Sequence, residues 1–363
     1  MRLVIATLLA ITLVATTACG AELDLGRIKL PPGYAIELWA RAPNARQMAL
    51  GESTLFIGSR REVRVYALEL EDGGRRAGKL RVLASGLRQP NGVAFKDGAL
   101  YVAEIARIIR FDAIESRLDD PPPPVVLPVR LPAEEHHGWK YIAFGPDGRL
   151  YAPVGAPCNI CDPGDPYAAI LRLNPDGSGL EIFARGVRNT VGFDWQPGTG
   201  AFWFTDNGRD WLGDDRPPDE LNRAERAGLH FGYPYCHGRN IRDPGFGQGR
   251  DCAQFTPPVR ELGPHVAALG MKFYRGRQFP ADCRGDVFIA EHGSWNRSTP
   301  IGYRITRVSL RDPAAPTYEV FAEGWLNGRL VMGRPVDLVE APDGALLISD
   351  DHAGAIYRIS YRP

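Results

Sequence analysis

Polar residues with the chemistry of acids, bases and anion binders stand at the ends of short apolar runs in this 363-residue chain. His137 precedes one such run, and Arg188 with Asn189 precedes the next. His292 ends a further run, and Arg334 precedes the last of them. An imidazole can act as a base, a guanidinium binds anions and an amide donates hydrogen bonds. If the fold brings these side chains to one pocket, they would supply a base, cations and an amide donor.

Each of these residues also has an ordinary structural interpretation. Arg188 and Asn189 could bond loop carbonyl groups, and a histidine ahead of a strand commonly lies at the surface. Residues 206–208 have the composition of a simple turn. The acidic cluster after them suits either a solvated loop or a second calcium site: Asp214, Asp215, Asp219 and Glu220. Trp139 could stack on a planar ligand. Convergence in the fold is what separates the two interpretations.

The elements that would position these residues recur along the chain as one cassette: an apolar run, a Gly-containing turn and a second apolar run. Six copies occur, of which the first and fifth are degenerate: Gly51–Gly58, Asn91–Glu104, Tyr141–Gly155, Gly192–Asn207, Arg284–Gly293 and Val336–Asp351. Most recur at about the 40 to 50 residue period of propeller blades. Since one blade cannot bury both faces of its sheet, blades pack side by side around a channel. The sequence therefore predicts an all-β, six-bladed β-propeller of four-stranded antiparallel blades.

One propeller domain is predicted over residues 30–363. The strand-like runs Tyr34–Ala40 and Ala355–Tyr361 are expected to pair in one blade, which would close the ring and protect a sheet edge. Residues 208–270 are rich in Gly, Pro and charged side chains and lack clean alternation, which predicts a long insertion between blades 4 and 5. Loops of that length are usually functional when they are ordered.

Composition and the N-terminal segment limit the partners of the protein. With 43 basic and 43 acidic residues the net charge is zero, so nucleic acid is not an expected partner. Residues 1–21 combine a positive charge, an apolar run and small residues, which predicts a signal peptide or a lipoprotein signal with a short tether. Cys19 is the candidate site of lipid attachment and the one expected link to a membrane. We therefore expect an exported, periplasmic protein.

Cysteine spacing predicts two local disulfides, since an exported protein meets an oxidising compartment. Cys158 and Cys161 form a CNIC pair, and Cys236 and Cys252 share one loop-like segment, which leaves Cys283 unpaired. Four cysteines could alternatively hold zinc, although their spacing is uneven. No histidine follows CNIC, which argues against covalent haem attachment.

Several longer stretches resemble the glucose/sorbosone dehydrogenase family, in particular its L-sorbosone dehydrogenase-like branch. They are EEHHGWKYIAFGPDGRLYAPVG, GVRNTVGFDWQPGTGAFWFTDNGRD, VFIAEHGSWNRS and GRPVDLVEAPDGALLISDD. The likeness covers most of the chain from Leu30 onward. It implies a six-bladed propeller that binds pyrroloquinoline quinone (PQQ) together with calcium.

The resemblance also implies roles for individual residues. His137, with His136 beside it, matches the catalytic base of the family. Roles toward cofactor or metal are implied for six more residues: Arg188 and Asn189 contacting the quinone, Arg334 binding a cofactor carboxylate, His292 at the place of a cofactor-binding Lys, and Gly208 and Arg209 offering backbone carbonyls to calcium. Val336 stands where the glucose dehydrogenases carry a further Arg.

These residue types suit the implied chemistry. Guanidinium groups bind carboxylates in a planar, bidentate manner, and PQQ carries three carboxylates. Calcium takes oxygen ligands and can polarise a quinone carbonyl, while a histidine can take the hydroxyl proton of the substrate. The first hypothesis is therefore an oxidoreductase that oxidises an aldose sugar, or a related aldehyde or alcohol, by hydride transfer to PQQ. An external cytochrome or quinone would then accept the electrons.

Two alternatives stay open. The first is a lactonase-type hydrolase with calcium in the channel, although such sites typically need several inward carboxylates and this mouth offers His and Arg. The second is a non-catalytic propeller that binds a glycan or a protein, which Val336 keeps open.

Overall fold

The computed structural model describes residues 24–363, so the predicted export signal at residues 1–21 and Cys19 lie outside the described residues. Nearly all regular structure in them is β. The strands, in chain order, are β1 (Tyr34–Arg41), β2 (Ala45–Leu50), β3 (Thr54–Ser59), β4 (Val65–Glu71), β5 (Arg76–Ala84), β6 (Gly92–Lys96), β7 (Ala99–Ala103), β8 (Ile108–Phe111), β9 (Val125–Val126), β10 (Ala143–Phe144), β11 (Leu150–Val154), β12 (Ala169–Leu173), β13 (Glu181–Arg185), β14 (Phe193–Trp195), β15 (Phe202–Asp206), β16 (Pro218–Ala224), β17 (Leu229–His230), β18 (Cys236–His237), β19 (Ile241–Arg242), β20 (Arg260–Pro264), β21 (Ala268–Phe273), β22 (Val287–Glu291), β23 (Arg304–Ser309), β24 (Thr317–Glu323), β25 (Leu326–Asn327), β26 (Leu330–Val331), β27 (Pro335–Glu340), β28 (Leu346–Asp350) and β29 (Ala355–Tyr361).

Helical structure is limited to single turns. Across residues 24–363 the helices are all of the 3-10 type: Leu25–Arg27, Asp72–Gly74, Ile114–Arg117, Cys252–Gln254 and Ala281–Cys283. Within that span no helix has the length and apolar character needed to cross a membrane.

The larger sheets form a ring of six blades. Blade 1 contains β2–β5, blade 2 contains β6–β9, blade 3 contains β10–β13, blade 4 contains β14–β16 and β20, blade 5 contains β21–β24, and blade 6 contains β27–β29 and β1. The first strand of each blade is innermost and contacts the first strand of a neighbouring blade. This arrangement confirms the six-bladed propeller that the repeated cassettes predict.

Both chain ends close the ring, as the sequence predicts. β1 pairs antiparallel with β29, from Tyr34 opposite Tyr361 to Arg41 opposite Ala355. The outermost strand of blade 6 therefore comes from the start of the chain, whereas the other three come from its end. Hydrogen bonds between distant parts of the sequence thus join the first blade to the last.

Apolar side chains between adjacent blades form the core. Strand β3 shows the principle, because Leu55 and Ile57 pack against blade 6 while Phe56 packs against blade 2. Alternate residues of a strand point to opposite faces, so one inner strand serves two interfaces. Equivalent apolar clusters fill the other interfaces around the ring.

The segment 208–270 differs from the predicted insertion in its bounds. It contains two strands of blade 4, β16 and β20, which pair with each other, and it ends inside β21. What is inserted is the chain between β16 and β20, which adds β17 in parallel to the edge of blade 3 and forms the β18–β19 hairpin. Blade 3 thereby has a fifth strand, whereas the prediction was four per blade.

Strand β16 lacks an apolar alternation because it buries polar side chains. Asp219, Glu220 and Asn222 are all buried. The two carboxylates accept hydrogen bonds from backbone N–H groups of other segments, those of Gly208 and Gly238 among them. Such long-range partners cannot be recognised in a local sequence pattern, which is why the sequence predicts no strand here.

The cysteine prediction is confirmed. Cys158 bonds to Cys161 and Cys236 bonds to Cys252, while Cys283 is free and buried. The second disulfide encloses the β18–β19 hairpin and so ties down the inserted chain.

Candidate active site

Six of the residues singled out in the sequence line one cavity of about 260 Å³: His137, Arg188, Asn189, Gly208, His292 and Arg334. They converge because each lies just before the first strand of a blade or just after its second strand. The two strands are antiparallel, so the start of one and the end of the other lie at the same end of the channel. Arg209 does not line the cavity; its guanidinium pairs with Asp243 at 2.6 Å.

His137 is buried in the wall of the cavity with a fixed orientation. Its Nδ1 lies 2.9 Å from the carbonyl oxygen of Ala156, which can only accept, so Nδ1 carries the proton and Nε2 keeps its lone pair. Burial, together with the positive charge of Arg188, lowers the pKa of His137 well below its usual value. The imidazole is therefore neutral at pH 7 and able to accept a proton.

Arg188 is engaged by the protein through its whole guanidinium group. Its Nη1 donates to the carbonyl oxygens of Asn207 (3.1 Å) and Gly208 (2.8 Å). Its Nε and Nη2 donate to the backbone and side chain of Asn159, and Nη2 also pairs with Asp210 at 3.2 Å. These contacts occupy all five N–H donors. Arg188 thus organises the loops around the cavity and contributes its charge.

Gly208 accordingly presents its carbonyl oxygen to Arg188, and its N–H donates to Asp219 at 2.8 Å. A carbonyl oxygen has two lone pairs, so one remains for another partner. Within residues 24–363, no cluster of three or more His, Cys, Asp or Glu side chains is arranged to hold a metal ion.

The side-chain amide of Asn189 faces the cavity. Its backbone N–H donates to Asp206 at 2.6 Å, and its carbonyl oxygen accepts from Asn207 at 2.9 Å. Its side chain lines the cavity, and we find no hydrogen bond from it to the part of the chain described here. Burial raises the pKa of Asp206 to about 7, although the N–H groups of Arg188 and Asn189 oppose that shift. Asp206 thus positions the Arg188–Asn189 pair from behind.

Arg334 supplies an unpaired positive charge. Its Nε donates to the carbonyl oxygen of His292 at 3.0 Å and its Nη2 to that of Gly293 at 2.7 Å. It forms no ion pair with any carboxylate between residues 24 and 363, and Nη1 is left without a protein acceptor there.

Sequence reasoning missed two further arginines of the cavity, both from blade 1. Arg46 lies in β2 and pairs with Asp351 at 2.8 Å. Arg60 lies just after β3 and stacks over Trp139, its guanidinium carbon 3.8 Å from the ring centroid. Burial, with help from Arg46, lowers the pKa of Arg60 to about 10. The signal was available, since Arg60 follows the second strand of its blade as His292 does.

His292 is held by a hydrogen bond to Asp351 rather than presented freely. Its Nε2 lies 2.8 Å from Asp351, whose other oxygen accepts from Arg46. Burial raises the pKa of Asp351, but His292 and Arg46 outweigh it and keep the pKa below its ordinary value. Burial lowers the pKa of His292 to about 4 against the pull of Asp351. This network joins blades 5, 6 and 1 at the cavity.

Val336 contributes packing and no polar group. It is buried with Val191 and Leu269 in a small apolar cluster, against which Trp139 also packs. The stack of Arg60 on Trp139 places a guanidinium beside this cluster. The further arginine of the resemblance is thus absent from blade 6, and blade 1 contributes cations to the same cavity.

A family model described as glucose/sorbosone dehydrogenase matches residues 127–358. The chain belongs to the glucose/sorbosone dehydrogenase family. An uncharacterised protein of Borreliella burgdorferi is 32% identical over 368 residues, which cover 97% of this chain and 95% of that relative. An aldose sugar dehydrogenase of Escherichia coli is 25% identical over 199 residues, which cover 52% of this chain and 46% of that relative. The family assignment made from the motifs is thereby confirmed.

Solved structures support the fold. The PQQ domain of pyranose dehydrogenase from Coprinopsis cinerea, solved in its holo form, superposes with a TM-score of 0.77. The superposition covers 92% of this chain and 97% of that domain at 17% identity. The family and its structural neighbours are oxidoreductases of the sugar dehydrogenase type.

Proposed function

We propose that this protein is a PQQ-dependent oxidoreductase that oxidises an aldose sugar, or a related aldehyde or alcohol. One observation carries the proposal. A neutral histidine with a free Nε2 shares a small cavity with two guanidinium groups that form no ion pair within residues 24–363, in a chain of the glucose/sorbosone dehydrogenase family.

The residues of the cavity fit PQQ. The cofactor is planar and carries three carboxylates, so its site requires fixed cations and hydrogen-bond donors. Among the residues that the structure describes, Arg60 and Arg334 form no ion pair and the side-chain amide of Asn189 forms no hydrogen bond. The buried indole Nε1 of Trp139 also lacks an acceptor among the described residues. An anion with a flat ring system satisfies these groups together.

His137 would act as the base. Its Nε2 accepts the proton of the substrate hydroxyl, because Ala156 keeps the proton on Nδ1 and burial keeps the ring neutral. PQQ, when bound, would supply the hydride acceptor for the carbon that bears this hydroxyl. The charge of Arg188 beside His137 lowers the basicity of the ring and helps it to release the proton afterwards.

The proposal includes a calcium ion bound by the backbone carbonyl groups of Gly208 and Arg209, as the resemblance implies. The Gly208 carbonyl retains a lone pair beyond its bond to Arg188, and backbone carbonyls are ordinary calcium ligands. The proposed oxidation requires an electron acceptor, and an external cytochrome or quinone stays the prediction for it. The periplasm as location follows from the predicted export signal and also stays a prediction.

Titration of the purified protein with PQQ and CaCl₂ tests the proposal. We expect a shifted quinone absorbance and dye-linked oxidation of at least one member of a panel of aldoses. His137→Ala should keep most of the cofactor affinity and lose nearly all turnover. Absence of quinone binding, or hydrolysis of lactones without any effect of quinone, would contradict the proposal.

A further inference from the structure

Two tryptophans at the mouth of the cavity are exposed without a structural reason. Trp211 and Trp295 each expose 67% of their surface, more than any other large hydrophobic side chain of residues 24–363. Trp295 belongs to the wall of the cavity, and Trp211 packs against it with ring centroids 5.4 Å apart. Paired exposed aromatic rings next to a cavity mark a binding surface more often than a packing defect.

The two rings are arranged so that most of their faces stay open. They meet edge to face at an interplanar angle of 87°. In that geometry one ring covers at most a single face of the other. The remaining faces can receive a flat apolar surface of a ligand.

The loops that carry the rings are held in place. Asp210, just before Trp211, pairs with Arg188 and accepts from Asn296 at 2.7 Å. Gly213, just after it, accepts from His265 at 2.9 Å. Trp211 itself has φ of 70°, a left-handed conformation that bulky residues rarely adopt. Trp211 thus keeps a strained backbone conformation while its indole is exposed to solvent.

The side-chain amide of Asn296 lies beside the two rings and could bind a ligand hydroxyl. Asn296 follows Trp295 and lines the cavity, and its Oδ1 is buried without a donor among the residues described. A buried acceptor without a donor is costly, and a ligand hydroxyl would satisfy it. Apolar ring faces next to amide groups are the combination that binds a pyranose, whose C–H face is apolar and whose edge is lined with hydroxyls.

We propose that Trp211 and Trp295 form a carbohydrate subsite that binds a sugar ring beyond the one that is oxidised. This inference rests on the proposed function, which decides the end of the saccharide that enters the cavity. A planar cofactor would occupy much of a cavity of about 260 Å³. The remaining rings of a longer saccharide would therefore extend out of the cavity through its mouth. Only the reducing-end ring has a free anomeric hydroxyl, so an oligosaccharide would enter with that end first and lay its next ring on the indoles.

Binding measurements on the whole protein, without turnover, test the subsite. Affinities would be measured by calorimetry and by quenching of tryptophan fluorescence for three series of sugars of increasing length. The series are glucose, maltose and maltotriose; glucose, cellobiose and cellotriose; and xylose and xylobiose. We expect the second ring to strengthen binding about fivefold to tenfold in at least one series. Trp211→Ala and Trp295→Ala should each abolish most of that gain, and Trp211→Phe should retain part of it.

Phe246→Ala serves as the matched control, since Phe246 is also an exposed aromatic residue but does not line the cavity. It should leave the ratio of disaccharide to monosaccharide affinity unchanged. Thermal unfolding checks that each variant folds, which is expected because both indoles are largely exposed.

The outcomes separate this inference from the proposed function. Loss of the disaccharide gain in the tryptophan variants supports the subsite even if no quinone binds. A ratio that stays the same in those variants, or the lack of any gain in the wild-type protein, overturns it even if the protein oxidises glucose with PQQ. If the variants instead slow only the reaction with a protein electron acceptor, the indoles form a docking surface for that acceptor and the inference is wrong.

Discussion

At the scale of single residues, two guanidinium groups beside the cavity form no ion pair with a carboxylate of residues 24–363. Arg334 bonds only to backbone carbonyls, and Arg60 stacks on an indole and bonds weakly to Gln89 at 3.3 Å. By contrast, Arg188 has all its donors engaged by protein atoms. Arg60 and Arg334 are therefore better placed than Arg188 to bind carboxylates of a ligand.

Arg60→Ala is expected to weaken PQQ binding by about tenfold to a hundredfold, the range for a lost charge-assisted hydrogen bond. Arg61→Ala is the matched control, because Arg61 is exposed and lies outside the cavity wall. A titration followed by quinone absorbance measures both. Equal affinities of the two variants would remove Arg60 from the cofactor site.

The protonation of His137 sets a limit on the pH profile. Burial and Arg188 lower the pKa of His137, so the ring stays neutral as the pH falls through 6.5 and charges only further down. The acid limb of kcat/KM should therefore lie below pH 6.5 and not at it. A pH–rate profile of the reconstituted protein measures the limb. An acid limb with its inflection at or above pH 6.5 would contradict the assignment of the base.

At the scale of elements, the chain inserted between β16 and β20 forms part of the scaffold behind the cavity. Gly238 follows β18 and donates to Glu220 of β16, whose pKa burial raises to about 8. His237 of the same hairpin pairs with Asp243 at 3.0 Å. The disulfide Cys236–Cys252 ties this hairpin to the single helical turn Cys252–Gln254.

Replacing both Cys236 and Cys252 by Ser should lower the free energy of unfolding by about 2 to 4 kcal/mol, since the cross-link restricts the unfolded chain. We also expect faster proteolysis between residues 236 and 252. Denaturant titration and limited proteolysis measure the two effects. The Cys158/Cys161 pair closes a much shorter loop and, replaced in the same way, should cost less. Unfolding midpoints that match the wild type would rule out a stabilising role.

At the scale of the whole molecule, the ring is closed by backbone pairing between its two ends. Blade 6 receives its outer strand β1 from the start of the chain, so blades 1 and 6 are tied both by sequence and by the β1–β29 ladder. The cavity needs this closure, because the network of Arg46, Asp351 and His292 spans the junction of blades 1, 6 and 5.

A chain that begins at Ala42 should therefore open at blade 6. We expect a large fall in the urea midpoint and association through the uncovered edge of β29. Light scattering and urea titration measure this, with a chain that begins at Asp24 as the control. Truncated protein that stays monomeric with the control's midpoint would show that the ladder does not close the ring.

Much of the architecture could be predicted because local patterns that repeat along the sequence specify it. The cassettes specify the inner strands and their turns, and they therefore predict the number of blades. They also predict that His137, Asn189 and Arg334 lie at one end of the channel. Disulfide pairs and the pairing of the end strands could be predicted because close cysteines and two unpartnered strand-like runs leave few alternatives.

The tertiary structure alone decided which side chains meet and what remains free. Arg46 and Arg60 come to lie beside residues of blades 3 to 6 only because the ring closes. The polar strand β16 is stabilised by N–H groups distant in sequence, so its alternation could not be recognised. The sequence by itself thus determined the repeated unit and its inner ends, since these depend on neighbouring residues. Packing around a closed ring determined the cavity, because its charges and open donors depend on contacts between blades.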